Sequence, residues 1–383
     1  MIDGRRNMSK IIAFLKQETV LTVAVLLAIL SLVVVPPDAG YMEYIDWRTI
    51  GLLFGLMAVM AGFQQAGVFR FAGNRLLRQV RGQKGVMGIL VFLCFFFSMF
   101  ITNDVALITF VPFSLTVLQM AHREKDICLT VVLQTIAANL GSMLTPLGNP
   151  QNLYLYGKSG MSLGQFLWLM LPYTVVAAVF LLVLILGYGG ARGEPSTSTN
   201  THLQKVETPE GKSVVLYLIL FAICLLAVAK VLATWIMVIC VTAVMIVYDW
   251  KRLKEVDYSL LATFLAFFIF IGNMGRIPVF RDCLQQVLMG HECITAVVAS
   301  QVVSNVPAAL LLSGFTDRTS ELIVGVNLGG LGTLIASMAS LISYKFIAKE
   351  YPAEKGKYFR AFTLWNLVFL VVLLLVKYGL DQI

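Results

Sequence analysis

Three asparagines and one aspartate stand inside apolar sequence that has little other reason to carry them. Thr102, Asn103 and Asp104 interrupt the run 85–121, and Ser304, Asn305 and Val306 interrupt the run 293–315. Asn149 lies in a third break, Thr145-Pro146-Leu147-Gly148-Asn149-Pro150-Gln151-Asn152. A fourth is Gly332-Thr333-Leu334-Ile335-Ala336-Ser337. A primary amide offers two donors and an acceptor, so one asparagine can serve a cation or an anion. A backbone broken within hydrocarbon leaves N–H and C=O groups unpaired at about 2–7 kcal/mol each. Such breaks persist only where protein, water or a ligand satisfies them. Half-helix N-termini, with roughly half a positive charge, suit an anion, whereas unwound carbonyls suit Na⁺. These residue types point to noncovalent capture of a solute and an ion.

Asp104 has two readings. Placing a carboxylate in the middle of a span costs about 2.5–3.5 kcal/mol. It is either a proton or cation site, or a structural cap on the helix that follows, where Asp at an N-terminus is favoured. Arg276, after Gly272-Asn273-Met274-Gly275, reads as a snorkelling interfacial residue, with attraction of an anion as the alternative.

The elements that hold these residues must be membrane helices. The 383 residues are 58% hydrophobic and 13% charged, with a mean hydropathy of +0.84. Soluble domains carry about 25% charged residues. Most uncharged runs reach helix-spanning length and lack the alternation of barrel strands. Nine spans can be drawn, at 19–36, 47–66, 127–157, 165–187, 214–232, 235–249, 258–274, 321–347 and 361–378. The runs 85–121 and 293–315 read as re-entrant hairpins with the asparagines at their tips. With the N-terminus in the cytoplasm, this layout puts 22 of the 29 basic residues inside, as the positive-inside rule demands, and the C-terminus outside. The N-terminal stretch, with Arg5, Arg6, Lys10 and Lys16 before an apolar run, reads as a retained first span rather than a cleaved signal, because Pro36-Pro37-Asp38 makes a poor cleavage site.

The two halves repeat. Asn139-Leu140-Gly141-Ser142-Met143-Leu144-Thr145 is echoed by Asn327-Leu328-Gly329-Gly330-Leu331-Gly332-Thr333, and Asp46–Phe69 aligns without gaps to Asp257–Phe280. The layout runs the two copies in opposite directions, the inverted arrangement of many secondary transporters, whose paired interrupted segments mark the binding site. The expected organisation is a tail and first span at 1–45, a first repeat at 46–188, a cytoplasmic linker at 189–213, a scaffold helix pair at 214–256 and a second repeat at 257–383. Prolines make the interruption in 127–157 secure. That in 321–347 has only glycines, so small-residue helix packing stays open there.

Other chemistries find little support. His122, His202 and His291 lie in loops or at their edges, no Walker A loop occurs, and no CxxC spacing marks a metal. Cys94, Cys128, Cys224 and Cys240 read as small core residues, while Cys283 and Cys293 are near enough in sequence for a disulfide. No basic stripe with interleaved aromatics suggests nucleic acid. An intramembrane enzyme would need a nucleophile with a base, or a metal cluster, at one depth.

At the two tips, at Asn139–Asn152 and at Asn327–Tyr344, the chain resembles the ion transporter superfamily that contains arsenite permeases, citrate-metal carriers and divalent-anion/sodium symporters. The resemblance runs from about Asp46 to the C-terminus. It implies a homodimer in the lipid bilayer, with a scaffold part and a transport part that moves as an elevator, and no cofactor beyond Na⁺ or H⁺ as coupling ion. In the dicarboxylate symporters each tip reads Ser-Asn-Thr and contacts a carboxylate. Carried over, Thr102, Asn103, Asp104, Ser304, Asn305 and Val306, with Thr145, Pro146 and Thr333, would face the solute. Asn103, Asp104, Gly148 and Asn149 would form one cation site, and Asn305, Ala336 and Ser337 the other. The chain departs from that pattern in Asp104 and Val306, where the symporters carry threonine. The Asn-Asp tip is more like that of the arsenite permeases. The resulting expectation is an all-α inner-membrane protein that is not an enzyme but a cation-coupled carrier of a small inorganic or organic anion. A Na⁺/H⁺ antiporter using Asp104 is the nearest rival, and a channel or non-transporting receptor a more remote one.

Overall fold

The computed structural model describes residues 18–78, 82–188 and 208–382. Arg5, Arg6, Lys10, Lys16, Arg81 and most of the expected linker 189–213 lie outside the described residues. Within them the ordered elements are all helical. In the first half these are α1 (Thr19–Val34), α2 (Trp47–Gln65), α3 (Val68–Leu77), α4 (Gln83–Phe97), α5 (Asn103–Met120), α6 (Glu124–Ser142), α7 (Pro150–Ser159) and α8 (Leu163–Gly187). In the second they are α9 (Gly211–Val228), α10 (Thr234–Asp249), α11 (Tyr258–Gly275), α12 (Pro278–Leu288), α13 (Glu292–Val303), α14 (Asn305–Ser313), α15 (Thr319–Gly329), α16 (Met338–Glu350) and α17 (Lys355–Leu380).

Six of the described helices are long and apolar enough to cross a membrane: α2, α5, α8, α9, α11 and the stretch Pro352–Leu380 that ends in α17. The count is seven if α12 and α13, which meet at 112°, form one span. The sequence layout differs from this list for local reasons. Segments 127–157 and 321–347 are each two helices, α6 with α7 and α15 with α16; α6 has 19 residues but carries Thr130, Gln134, Thr135 and Asn139, and the other three are short. The arms at 85–121 are unequal: α5 has 18 residues, or about 27 Å, which is the length of a span.

Packing sorts the helices by depth. The span windows of α9 and of Pro352–Leu380 are each 28% buried against 61% for α2, so α9 and α17 turn apolar faces such as Leu218, Ile219, Leu367 and Val371 outward while α2 sits inside. α1 lies along α11, and α2 is held between α9 and α10. The inner group is reciprocal. α4 and α5 both pack on α6, and α13 and α14 both pack on α15; α5 also packs on α16, and α14 on α7. Each tip-bearing pair therefore rests on the first half of its own broken segment and on the second half of the other.

Smaller details recur in the same way. Asp46 accepts from the Thr49 amide at 3.0 Å to start α2, and Asp257 from the Leu260 amide at 2.9 Å to start α11. Gly62 and Gly272 each have a tyrosine ring, Tyr217 and Tyr44, on their bare face, where an added Cβ would come within 2.2 and 2.3 Å. Arg276 is an ion-paired residue at the end of α11: its guanidinium meets Asp38 at 2.5 Å and lies over the Tyr44 ring. Its hydrogen bond holds the Asp38 carboxyl below the usual carboxylate range. The anion-attracting alternative therefore falls away. So does the Cys283–Cys293 disulfide, because both thiols are free, the first exposed and the second buried.

Candidate functional site

The four breaks of the sequence are breaks in the backbone, and they meet in pairs. α4 ends at Phe97 and α5 begins at Asn103. α6 ends at Ser142, and α7 begins with Pro150 in its first turn, where a missing N–H costs nothing. The amide of Asn103 donates to the Gly148 carbonyl at 3.0 Å, and the amide of Asn305 donates to the Ala336 carbonyl, also at 3.0 Å. Each tip asparagine thus docks by its backbone into the gap of the broken segment beside it. The threonines repeat the pattern. Thr145 Oγ1 donates to the Met99 carbonyl at 2.5 Å, and Thr333 Oγ1 to the Gln301 carbonyl at 3.2 Å; Met99 and Gln301 each lie four residues before the tip asparagine.

The fourth gap, which glycines alone did not secure, is real. Residues 330–337 are not helical, and Gly332 has φ +107°, a conformation that glycine adopts without a Cβ penalty. Gln301 from α13 fills the gap. Its Nε2 donates to the Gly329 and Leu331 carbonyls at 2.9 Å each, and its Oε1 accepts from the Thr333 amide at 2.9 Å. In the first gap a different side chain does this. Asn152 Nδ2 reaches the Met143 and Thr145 carbonyls at 3.3 and 3.4 Å.

The two tips differ in a way that their sequences did not announce. Thr102, in extended conformation, caps α5 by accepting from the Val105 amide at 3.4 Å, and Asn103 Oδ1 accepts from the Asp104 amide at 3.0 Å. The cap is therefore threonine, and the capping role drawn for Asp104 is overturned. The half-buried Asp104 carboxylate has no hydrogen bond or ion pair among the described residues. Ser304, by contrast, has φ +74° and ψ 155°, a region costly for any residue but glycine, by about 1–3 kcal/mol. Asn103 is anchored, its Nδ2 donating to Asn139 Oδ1 at 3.0 Å. Asn305 is 5% exposed, and its side-chain Nδ2, unlike its backbone N–H, has no hydrogen-bond partner among the described residues. That nitrogen lies over Gly330, 3.0 Å from where a Cβ would stand.

The other expected residues fall around these tips. Pro146, Gly148, Asn149, Ala336, Ser337 and Val306 are buried, Thr145 is half-buried and Thr333 is exposed. Asn149 is spoken for: its Oδ1 accepts from the Asn152 amide and its Nδ2 donates to Ser142 Oγ and Asn327 Oδ1. Sequence reading passed over Gln301, Asn152, Asn139 and Asn327 as site residues. Asn139 and Asn327 did open the repeated heptapeptides, and that was the available signal.

A cavity of about 750 Å³ lies between α5 and the group α2, α3, α9 and α10, with Gln65, Arg70, Asn74, Thr109, Thr116 and Tyr217 on its wall. Thr109 Oγ1 is buried there without a partner among the described residues. A second cavity of about 430 Å³, bounded by Asp46, Arg48, Tyr154, Lys158 and Gly272, opens at the opposite end of α2.

Comparison with known proteins follows the same lines. Residues 11–320 match the citrate transporter family. Over 306 residues the chain is 33% identical to the inner membrane protein YbiR of Escherichia coli, covering 79% of this chain and 80% of that one. It is 31% identical over 306 residues to an uncharacterized transporter of Methanocaldococcus jannaschii, covering 79% and 81%. Over 194 residues it is 31% identical to the silicon efflux transporter LSI3 of rice, Oryza sativa subsp. japonica, covering 48% of this chain and 39% of that protein.

Proposed function

Because the chain belongs to the citrate transporter family, we propose that it is a secondary transporter that carries a small anion across the inner membrane, coupled to Na⁺ or H⁺. The observation that carries this reading is the pair of docked tips, Asn103 on Gly148 and Asn305 on Ala336. Four helix interruptions converge there in two matching sets, leaving amides and carbonyls in a setting where only a ligand or protein can satisfy them. Thr102, Asn103, Asp104, Thr145 and Pro146, with Ser304, Asn305, Val306 and Thr333, form the solute's surroundings. Asn305 is the chief donor, since its amide nitrogen is the uncommitted one. Asn103 and Asp104 with Gly148 and Asn149, and Asn305 with Ala336 and Ser337, form two cation cradles.

The wider architecture is part of the same proposal. The reciprocal packing of α4–α7 and α13–α16 supports two inverted repeats with re-entrant hairpins, and nine spans once the broken segments are counted as crossings. The inner group is the moving part of an elevator; α1, α2 and α9–α11 are the scaffold of a homodimer. The N-terminus is cytoplasmic and the C-terminus outside.

The test is a thermal-unfolding screen of the purified protein against citrate, C4-dicarboxylates, sulfate, phosphate, arsenite and silicic acid, each with and without Na⁺, since a ligand of the folded state raises its apparent stability. A hit is then followed as uptake into proteoliposomes. At least one solute should raise the midpoint and be taken up down a cation gradient; uptake indifferent to both Na⁺ and ΔpH would remove the coupling. A second reading, Na⁺/H⁺ exchange through Asp104, is favoured by that carboxylate's lack of a partner. It predicts that Na⁺ alone collapses ΔpH in vesicles with no anion added.

A further inference from the structure

We propose that Asn139 and Asn327 are positioning residues that make each cation cradle depend on the opposite half of the chain, an assignment that rests on the two-cradle reading above. Asn139, in the last turn of α6, is 4% exposed, and Asn327, in the last turn of α15, is 3% exposed. Asn139 Oδ1 accepts from Asn103 Nδ2 and from Ser337 Oγ, both at 3.0 Å, and its Nδ2 donates to Ser340 Oγ at 3.4 Å. Asn327 Oδ1 accepts from Asn149 Nδ2 at 3.3 Å, and its Nδ2 donates to Asn152 Oδ1 at 2.6 Å.

The numbering exposes the exchange. Asn149 and Asn152 follow Asn139 by ten and thirteen residues, and Ser337 and Ser340 follow Asn327 by the same intervals. Each asparagine bypasses the residues at those intervals in its own half and bonds their counterparts in the other. Were these amides only plugs for the local break, Asn139 would meet Asn149 and Asn327 would meet Ser337. Instead the second half-helix of each broken segment is held at its first turn by the other half. Asn139 goes further, since one oxygen joins the tip amide of the first cradle to the serine of the second. A cation drawing on Asn103 or Ser337 therefore acts on both cradles through it. Burial makes this exacting, because an amide left unpaired in an apolar interior carries its full desolvation cost, so neither cradle can shift without the other's partner following.

The experiment is a Na⁺ titration of the purified full-length protein, with choline keeping ionic strength constant and the thermal-unfolding midpoint as readout. In Asn139→Ala and in Ser337→Ala the Na⁺ concentration at which the midpoint begins to rise should increase about tenfold, the upper range for one buried neutral hydrogen bond. The double variant should lose less than the sum of the two single ones, because both remove the contact that Asn139 and Ser337 share. An onset concentration unchanged in both variants would overturn the proposal, even if the midpoint without Na⁺ falls, for that is what a packing role alone predicts. Additive losses in the double variant would overturn it as well. If Asn139→Ala fails to fold, Ser340→Ala, which removes an Asn139 partner outside both cradles, carries the decision by the same onset readout. A wild-type protein whose midpoint ignores Na⁺ refutes the cradles themselves, a different failure from normal Na⁺ binding that survives both substitutions.

Discussion

At the scale of single residues, the two tips divide the work. Asn103 spends its amide on Asn139, and Asn305 keeps its nitrogen uncommitted over Gly330. Asn305→Ala should therefore raise the solute KM of proteoliposome uptake by tenfold or more, on the order of a hydrogen bond to a charged group, whereas Asn103→Ala should mainly raise the Na⁺ requirement. Near-normal uptake in both would remove the site. Thr102 makes the cap, and Asp104 keeps a first-turn place where the helix dipole favours a carboxylate. If it carries a proton, Asp104→Asn abolishes the dependence of uptake on ΔpH; an unchanged pH profile removes Asp104 as the proton carrier. Ser304 is strained at φ +74°. Replacing it by glycine should stabilise the fold by about 1 kcal/mol, the strain relieved less the added freedom of the unfolded chain. A lower unfolding midpoint would mean that the long contact from Ser304 Oγ to the Ala336 carbonyl, at 3.4 Å, outweighs the strain.

At the scale of elements, local chemistry secured the break at 145–152, whereas the break at 332–337 was drawn from glycines that could equally have packed in a helix. Pro146 and Pro150 forbid a continuous helix by removing donors and clashing one turn back, so local chemistry alone decides. In 321–347 no proline acts; Gly329, Gly330 and Gly332 would equally suit a closely packed helix. What opens that segment is Gln301, about thirty residues earlier in sequence, which satisfies the freed Gly329 and Leu331 carbonyls. A contact of that kind leaves no periodic trace. The same holds for Asn139 and Asn327: their repeat is visible, but the exchange between halves joins residues nearly two hundred apart. Gly332 tests the account. An alanine there would sit at φ +107° with its Cβ 2.3 Å from Gln301 Oε1, so Gly332→Ala should cost about 1–3 kcal/mol of stability. Gly164→Ala, with nothing within 4 Å of the new Cβ, is the control and should leave the melt unchanged or slightly raised.

At the scale of the whole molecule, hydrophobicity foretold a polytopic protein and charge supplied the orientation adopted in the proposal, while the depth order of the helices came from packing. The moving and fixed parts of an elevator need a boundary that is not sealed by interlocking side chains, because close-packed interfaces do not deform continuously. On the proposed elevator reading, the 750 Å³ cavity between α5 and α2, α3, α9 and α10 would be that gap. Thr116, on α5, faces it and is exposed. The proposed topology opens this cavity to the cytoplasm. In a Cys283→Ser background, which removes the exposed native thiol, Thr116→Cys should react with a membrane-impermeant maleimide applied from the cytoplasmic side and stay protected from the other. Solute with Na⁺ should change the labelling rate severalfold as the inner group moves past the scaffold. Equal labelling from both faces would contradict the topology, and a rate indifferent to solute and Na⁺ would argue for a fixed site without elevator motion.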